Sequence, residues 1–190
     1  MSATDSSAVE REQVQVLVEE LRSSAARFVS VLEDVPETLR NVRESDGAWS
    51  IMDCAEHVCR AEELMAVSLE KRRPTNAAPE VNKDAVIRRI ALDRSRKIVA
   101  PEQARPTGRY PSLAEAADAF LASRERNIAL IESLGGDLRQ STCLHPMGVF
   151  DTYQFVQIMA LHPKRHADQI EEIKKGTAYR AAAIHREGRR

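Results

Sequence analysis

The chain has 190 residues, 43% of them hydrophobic and 30% charged, with only 7 glycines and 4% aromatics. That is enough for one domain with a sizeable core, and its wealth of Ala, Leu, Glu and Arg points to an all-α fold. With 28 Lys plus Arg against 29 Asp plus Glu, the overall field gives no reason to expect a nucleic-acid or acidic-membrane partner.

Residues 1–8 read as a disordered lead-in, residues 9–176 as the bundle, and residues 177–190 as a solvated basic tail in which Arg180, Arg186, Arg189 and Arg190 outnumber Glu187. No apolar run approaches the roughly 18 residues of a membrane span, and the polar N-terminus is unlike a signal peptide. Three cysteines without a disulfide-framework spacing fit a reducing compartment, so a cytoplasmic location is expected. Each of Cys54, Cys59 and Cys143 is most simply a small core residue, although Cys54 lies close enough to His57 to approach the same site.

The first helix is marked by Val14, Leu17, Leu21, Phe28, Val31 and Val35, a stripe at helical period that Pro36 stops. Ser50, with Asp53 three residues on, forms a capping-box signature for the second helix, whose core face carries Ile51, Cys54, Ala55, Val58, Ala61, Glu62, Met65 and Leu69. His57 borders that face. Residues 74–111 contain five prolines and one short amphipathic run, VNKDAVIRRIALDRSRKI, and read as a long crossover with a helix inside it. Such a connection lets the third long helix run parallel to the second. That helix starts at a second capping box, Ser112 and Glu115, carries Phe120, Ile128 and Ile131, presents a charged face to solvent, and ends at Gly135 and Gly136. A loop through His145 leads to the fourth, capped by Asp151 or Thr152 and ending before Gly176.

Within the fourth helix His162 and His166 stand four apart, one turn along one face, where two imidazoles can share a metal ion and leave its other positions to another element. The same spacing also occurs in plain surface pairs, so a third ligand must come from elsewhere; His57 is a candidate, as readily read as a boundary residue of the core. Asp53 could orient the His57 ring or serve only as a cap, and Gln169, three residues beyond His166, could orient that ring. His145 could line the pocket or stabilise its turn.

Taken together, Trp49 and Ser50 opening the second helix, His57 followed by RAEE, HPMG in the last loop, and the run His162, Arg165, His166, Gln169 and Ile170 resemble the DinB-like superfamily over about residues 10–175. The resemblance implies a four-helix bundle of up-down-down-up course, with a divalent metal (zinc, nickel, iron or manganese) held near one end by His57, His162 and His166. It also implies a homodimer. Superfamily members include thiol S-transferases that use low-molecular-weight thiols, a thiol-dependent maleylpyruvate isomerase, and metal hydrolases. The expected function is therefore a metal-dependent transferase or hydrolase of a small molecule, with thiol S-transfer leading and a low-molecular-weight thiol as co-substrate; no catalytic residue is assigned. The alternative is a non-catalytic dimeric bundle, a stress or interaction protein whose metal binding is incidental or lost.

One departure bears on that choice. Pro163 follows the first histidine of the pair where the family has a helix former, often glutamate. Proline removes the N–H that would bond to the Met159 carbonyl and crowds that oxygen, at about 3 kcal/mol in an ordinary helix interior. A kink or bulge over residues 159–163 is expected, and a reset turn would make the two rings diverge.

Overall fold

The computed structural model describes residues 3–134 and 138–188, with backbone alone for residues 3–7 and 187. Six helices are described: α1 (Ala3–Glu33), α2 (Ile51–Glu70), α3 (Lys83–Leu92), α4 (Leu113–Ser133), α5 (Thr152–Lys175) and α6 (Thr177–Glu187). The long ones, α1, α2, α4 and α5, form the four-helix bundle, in which α1 packs against α5 and α4, and α2 against α4 and α5.

Contacts fix the directions. From α2 to α4, the Cys59 thiol donates to the Ala116 carbonyl and Glu62 pairs with Arg124, so positions rise together and the helices run parallel. From α1 to α4, Phe28 meets Phe120 edge-on at 5.1 Å while Arg124 reaches back to the Leu21 carbonyl, an antiparallel order. The course is up-down-down-up, and the crossover between α2 and α4 makes it possible.

The start of α2 follows its sequence signature. Ser50 Oγ accepts from the Asp53 N–H, and the Asp53 carboxylate accepts from the Ser50 N–H at 2.7 Å. Asp151 caps α5 by accepting from the Gln154 N–H. At α4 the Ser112 hydroxyl accepts the Glu115 N–H, but the Glu115 side chain takes its hydrogen bond from the Ser112 hydroxyl instead of closing a box on the backbone. Gly135 and Gly136, the expected helix stop, lie outside the described residues.

The structure departs from expectation in four places. Helix α1 already begins at Ala3, within the supposed lead-in, and the basic segment after Gly176 forms α6, anchored by buried Tyr179. Two backbone N–H groups at its start, those of Thr177 and Ala178, are capped by the Glu44 carboxylate. The last loop is a β-hairpin, β2 (Ser141–His145) with β3 (Gly148–Asp151), and a short edge strand β1 (Arg73–Pro74) pairs antiparallel with β2. Finally, the α4 polar face is not wholly solvated: Arg124 is completely buried and Asn127 nearly so.

The apolar core falls into two clusters. One gathers Phe28, Ile51, Val58, Phe120 and Ile170; the other gathers Leu17, Leu21, Leu69, Ile131, Phe155 and Met159. Buried polar side chains collect where the helices pass from one cluster to the other: Ser24 on α1, His57 and Glu62 on α2, Arg124 on α4, His166 on α5. His57 and His166 therefore lie where the two clusters meet.

Candidate metal centre

His57, His162 and His166 converge from α2 and α5, one ring nitrogen from each lying within 4.8 Å of the others. The rings meet edge to face, with His162 and His166 centroids 4.6 Å apart and His57 at 5.0 and 4.7 Å from them. His57 and His166 are buried, and His162 is half-buried toward a cavity.

Helix α5 runs without interruption through Pro163, so the expected bulge does not form and the rings do not diverge. The carbonyl that proline leaves without its N–H, that of Met159, accepts instead from Arg124 Nη2 at 3.1 Å.

Two rings are locked by their second nitrogens. His57 Nδ1 lies 2.8 Å from the Ala104 carbonyl, which can only accept, so Nδ1 carries the proton and Nε2 keeps its lone pair. Gln169 Oε1 does the same for His166 Nδ1 at 3.0 Å; Arg94 donates to that oxygen and pairs with Glu172, fixing the amide. The His57 and His162 Nε2 atoms face each other at 3.1 Å, while His162 Nδ1 is buried without a partner. Burial pushes all three imidazoles below their ordinary pKa, most strongly His162 and His166, where neighbouring histidines add to the effect. They are neutral at pH 7, the state that ligates metal.

The acceptor for His57 is held by a neighbour. Glu56, 1% exposed, accepts from the Thr107 N–H and hydroxyl and from the N–H groups of Gly108 and Arg109. The positive φ of Gly108 (79°) lets successive N–H groups turn inward to one carboxylate. Burial opposes the Glu56 charge, but the donors from Thr107, Arg109 and Gly108 outweigh it and hold the carboxyl below its ordinary pKa. Arg60 adds two bonds to the Gln103 carbonyl, so the segment bearing Ala104 is clamped onto α2.

A cavity of about 1030 Å³ opens onto the histidines. Its walls come from α2, α5, the crossover, the loop before α2 and the hairpin tip; among the described residues α1 and α4 contribute none. Trp49 forms part of the wall, its ring 4.8 Å from His57 and 6.2 Å from His166. Apolar surface from Leu64, Met65, Ile98, Leu144 and Ile158 predominates, with Arg94, Lys97, Arg105 and Arg165 against Glu44 and Glu172 as its charges. Arg165 gives its hydrogen bonds to the Ala91, Asp93 and Arg96 carbonyls, tying the end of α3 to α5.

The remaining sequence candidates divide. His145 lines the cavity, its ring against Phe150 and Phe155 and its Nδ1 accepting the Met147 N–H. Asp53 is occupied by the cap and by Arg43 at 2.7 Å and is not the partner of His57. Cys54 is fully buried, is not among the cavity residues, and has its thiol pushed far up by burial. Sequence reasoning missed Ala104, because a backbone acceptor has no side-chain signal, and Glu56, which stood beside His57 as one acidic residue among many.

The DinB superfamily model matches residues 20–170, and the chain belongs to that superfamily. The YuaE protein of Bacillus subtilis (strain 168) is 24% identical over 145 residues, covering 76% of this chain and 88% of that protein. Among solved structures, YfiT from Bacillus subtilis, described as a probable metal-dependent hydrolase with an unusual four-helix bundle topology, aligns with a TM-score of 0.57 at 13% identity over 86% of this chain and 87% of its own. TT2238, a four-helix bundle protein, aligns with a TM-score of 0.52 at 17% identity over 84% and 98% respectively. The two structures share the fold.

Proposed function

We propose that the protein is a metal-dependent enzyme acting on small molecules, with His57, His162 and His166 holding a divalent ion and thiol S-transfer as the reaction. The observation that carries the metal reading is the pair of locked tautomers. His57 and His166 spend Nδ1–H on protein acceptors and leave Nε2 free, and His57 Nε2 already faces His162 Nε2. Three neutral imidazoles from two helices suit zinc, nickel, iron or manganese and leave coordination positions for other ligands. A divalent ion so held supplies Lewis acidity, lowering the pKa of a thiol or water beside it.

The chain's own residues do the rest. Ala104 and Gln169 fix ring orientation, Trp49 shields two of the rings, and the apolar wall holds an organic substrate away from bulk water. His145, with Nδ1 accepting, carries its proton at Nε2 and can donate a hydrogen bond to a bound ligand. Size supports transfer between two molecules: the cavity, about 1030 Å³, lies at the upper end of the roughly 300–1,000 Å³ typical for single ligands. Charge supports an acidic partner. Four cationic side chains face two carboxylates, and both carboxylates are engaged, Glu172 by Arg94 and Glu44 by the start of α6.

Hydrolysis is the second reading, favoured by the description of the structurally similar YfiT. The non-catalytic alternative had two forms, metal lost through a break at Pro163 and metal bound incidentally; the continuous α5 speaks against the first, and activity assays decide the second.

Elemental analysis of protein purified without affinity metal or chelator tests the site: about one equivalent in the wild type, lost in His57→Ala and His166→Ala. No bound ion in the wild type after reconstitution would overturn it. Thiol consumption with electrophilic co-substrates, absent in metal-stripped protein, then tests transfer; ester or amide cleavage that needs no thiol would replace it by hydrolysis.

A further inference from the structure

Pro163 has no N–H to give the Met159 carbonyl, and that carbonyl lies where water cannot reach it, beside fully buried Met159 and Ala160. A helix in this position can tilt the free oxygen outward and bend, or receive a donor from another element. Here the donor comes from α4. Arg124, completely buried, places Nη2 at 3.1 Å from the Met159 oxygen and at 2.8 Å from the Glu62 carboxylate. Asn127 bonds the other carboxylate oxygen at 2.8 Å, and Arg124 Nη1 reaches the Leu21 carbonyl at 3.2 Å. The guanidinium is thus held through Nη1 and Nη2 by groups on α1 and α2, with one Nη2 donor aimed at the turn below His162 and Nε without a partner.

We propose that Arg124 is a positioning residue for the histidine cluster, supplying across the bundle the hydrogen bond that Pro163 withholds and so keeping helical the turn that carries His162 and His166. The inference rests on the reading of those histidines as metal ligands. Glu62 keeps the buried cation compensated, and Asn127 keeps Glu62 from turning away. An arginine is suited to this where lysine is not, because its planar fork serves a carboxylate and a carbonyl at once. The arrangement predicts a dependence of position 124 on position 163 that a merely stabilising ion pair lacks.

The test is a double-mutant cycle. Four proteins are compared: wild type, Pro163→Ala, the pair Arg124→Met with Glu62→Gln, and all three changes together. The paired change removes both charges at once, so neither is left buried alone. Cobalt(II) and zinc affinity are measured by competition titration. With proline at 163 the paired change should weaken metal binding 10- to 100-fold, the range for loss of a ligand-orienting partner. In the Pro163→Ala background, where the restored N–H serves Met159, the loss should fall to about threefold or less on the same scale. Equal losses in the two backgrounds, or no loss with proline present, would overturn the proposal.

If the wild type takes no ion, the metal reading fails by itself, and the positioning role is read from the imidazole NMR resonances of His162 and His166. These should shift on the paired change only with proline at 163. If the paired variant does not fold, Arg124→Lys is carried through the same cycle, with the same background dependence expected and the same overturning result.

Discussion

His57 and Glu62 lie five residues apart on α2, and each gathers a buried polar cluster across the bundle, yet the two clusters are built to opposite rules. Around Glu62 both carboxylate oxygens and both guanidinium Nη atoms are met by protein groups, and Arg124 Nε alone among these atoms is left without a partner. Around His57 the outer nitrogens of two rings are satisfied and the inner ones are left facing each other over a cavity. A closed cluster holds structure, whereas an open one leaves lone pairs available to something the chain does not supply.

The largest effect that would break this contrast comes from opening the closed cluster. Arg124→Met alone leaves the Glu62 carboxylate buried without its cation and should cost about 3–5 kcal/mol in denaturant unfolding. A cost below about 1 kcal/mol, the scale of an exposed pair, would mean that the cluster is not the clasp described. Next is the clamp behind the open cluster. Glu56→Gln keeps the shape but removes the charge that accepts four hydrogen bonds, and should cost about 1.5–3 kcal/mol. It should also weaken metal binding through loss of the Ala104 carbonyl's fixed position, which calorimetric titration would read.

Acid sharpens the contrast further. Burial lowers the pKa of His57, His162 and His166 in the folded protein below the ordinary 6.5, and at His162 and His166 the neighbouring histidines add to it. Below that value the unfolded chain takes up protons that the folded, metal-free protein refuses. Stability is thus complete above pH 6.5 and falls as the pH drops toward the lowered folded values, by at most about 1.4 kcal/mol per pH unit for each ring. Denaturation midpoints from pH 7 to 5 should show this slope in the wild type and a shallower one in His57→Ala. Glu56 acts lower: its depressed carboxyl contributes above the ordinary 4.5 and is lost only as the pH falls through its folded value. The smallest effect is outside both clusters. Asp168→Asn removes an exposed pair with Arg27 and should change stability by less than about 0.5 kcal/mol in the same unfolding assay.

Much of the fold could be read from residues alone, because long helices write their period into the chain. The apolar stripe of α1, the Ser50 and Asp53 box, and the proline-rich crossover each rest on short-range chemistry. The hairpin was not legible as strands: Thr142, Cys143 and Leu144 face Asp151, Phe150 and Val149 across a two-residue turn, with Gly148 at a φ of 137°. Its strands are too short to show a strong alternation. At the site, the histidines and Gln169 were legible, while of the two roles open to Asp53 the structure shows the cap, which Arg43 reinforces, and not the orientation of His57. Arg124 could not be found by pattern, for a buried arginine and a solvated one are the same letter until Glu62 and Met159 are brought to either side of it. Pro163 carried the warning of a break and could not carry its remedy, which lies 39 positions earlier on another helix.

The stretch between α2 and α4 serves the histidines and the cavity at once. It supplies the oxygen that fixes one imidazole, through Ala104, the guanidinium that fixes the amide behind another, through Arg94, and the cavity cations Lys97 and Arg105. On the proposed reading, cavity lining and ion binding are therefore coupled: a change in this stretch that admits a new molecule also disturbs the groups that orient two of the imidazoles.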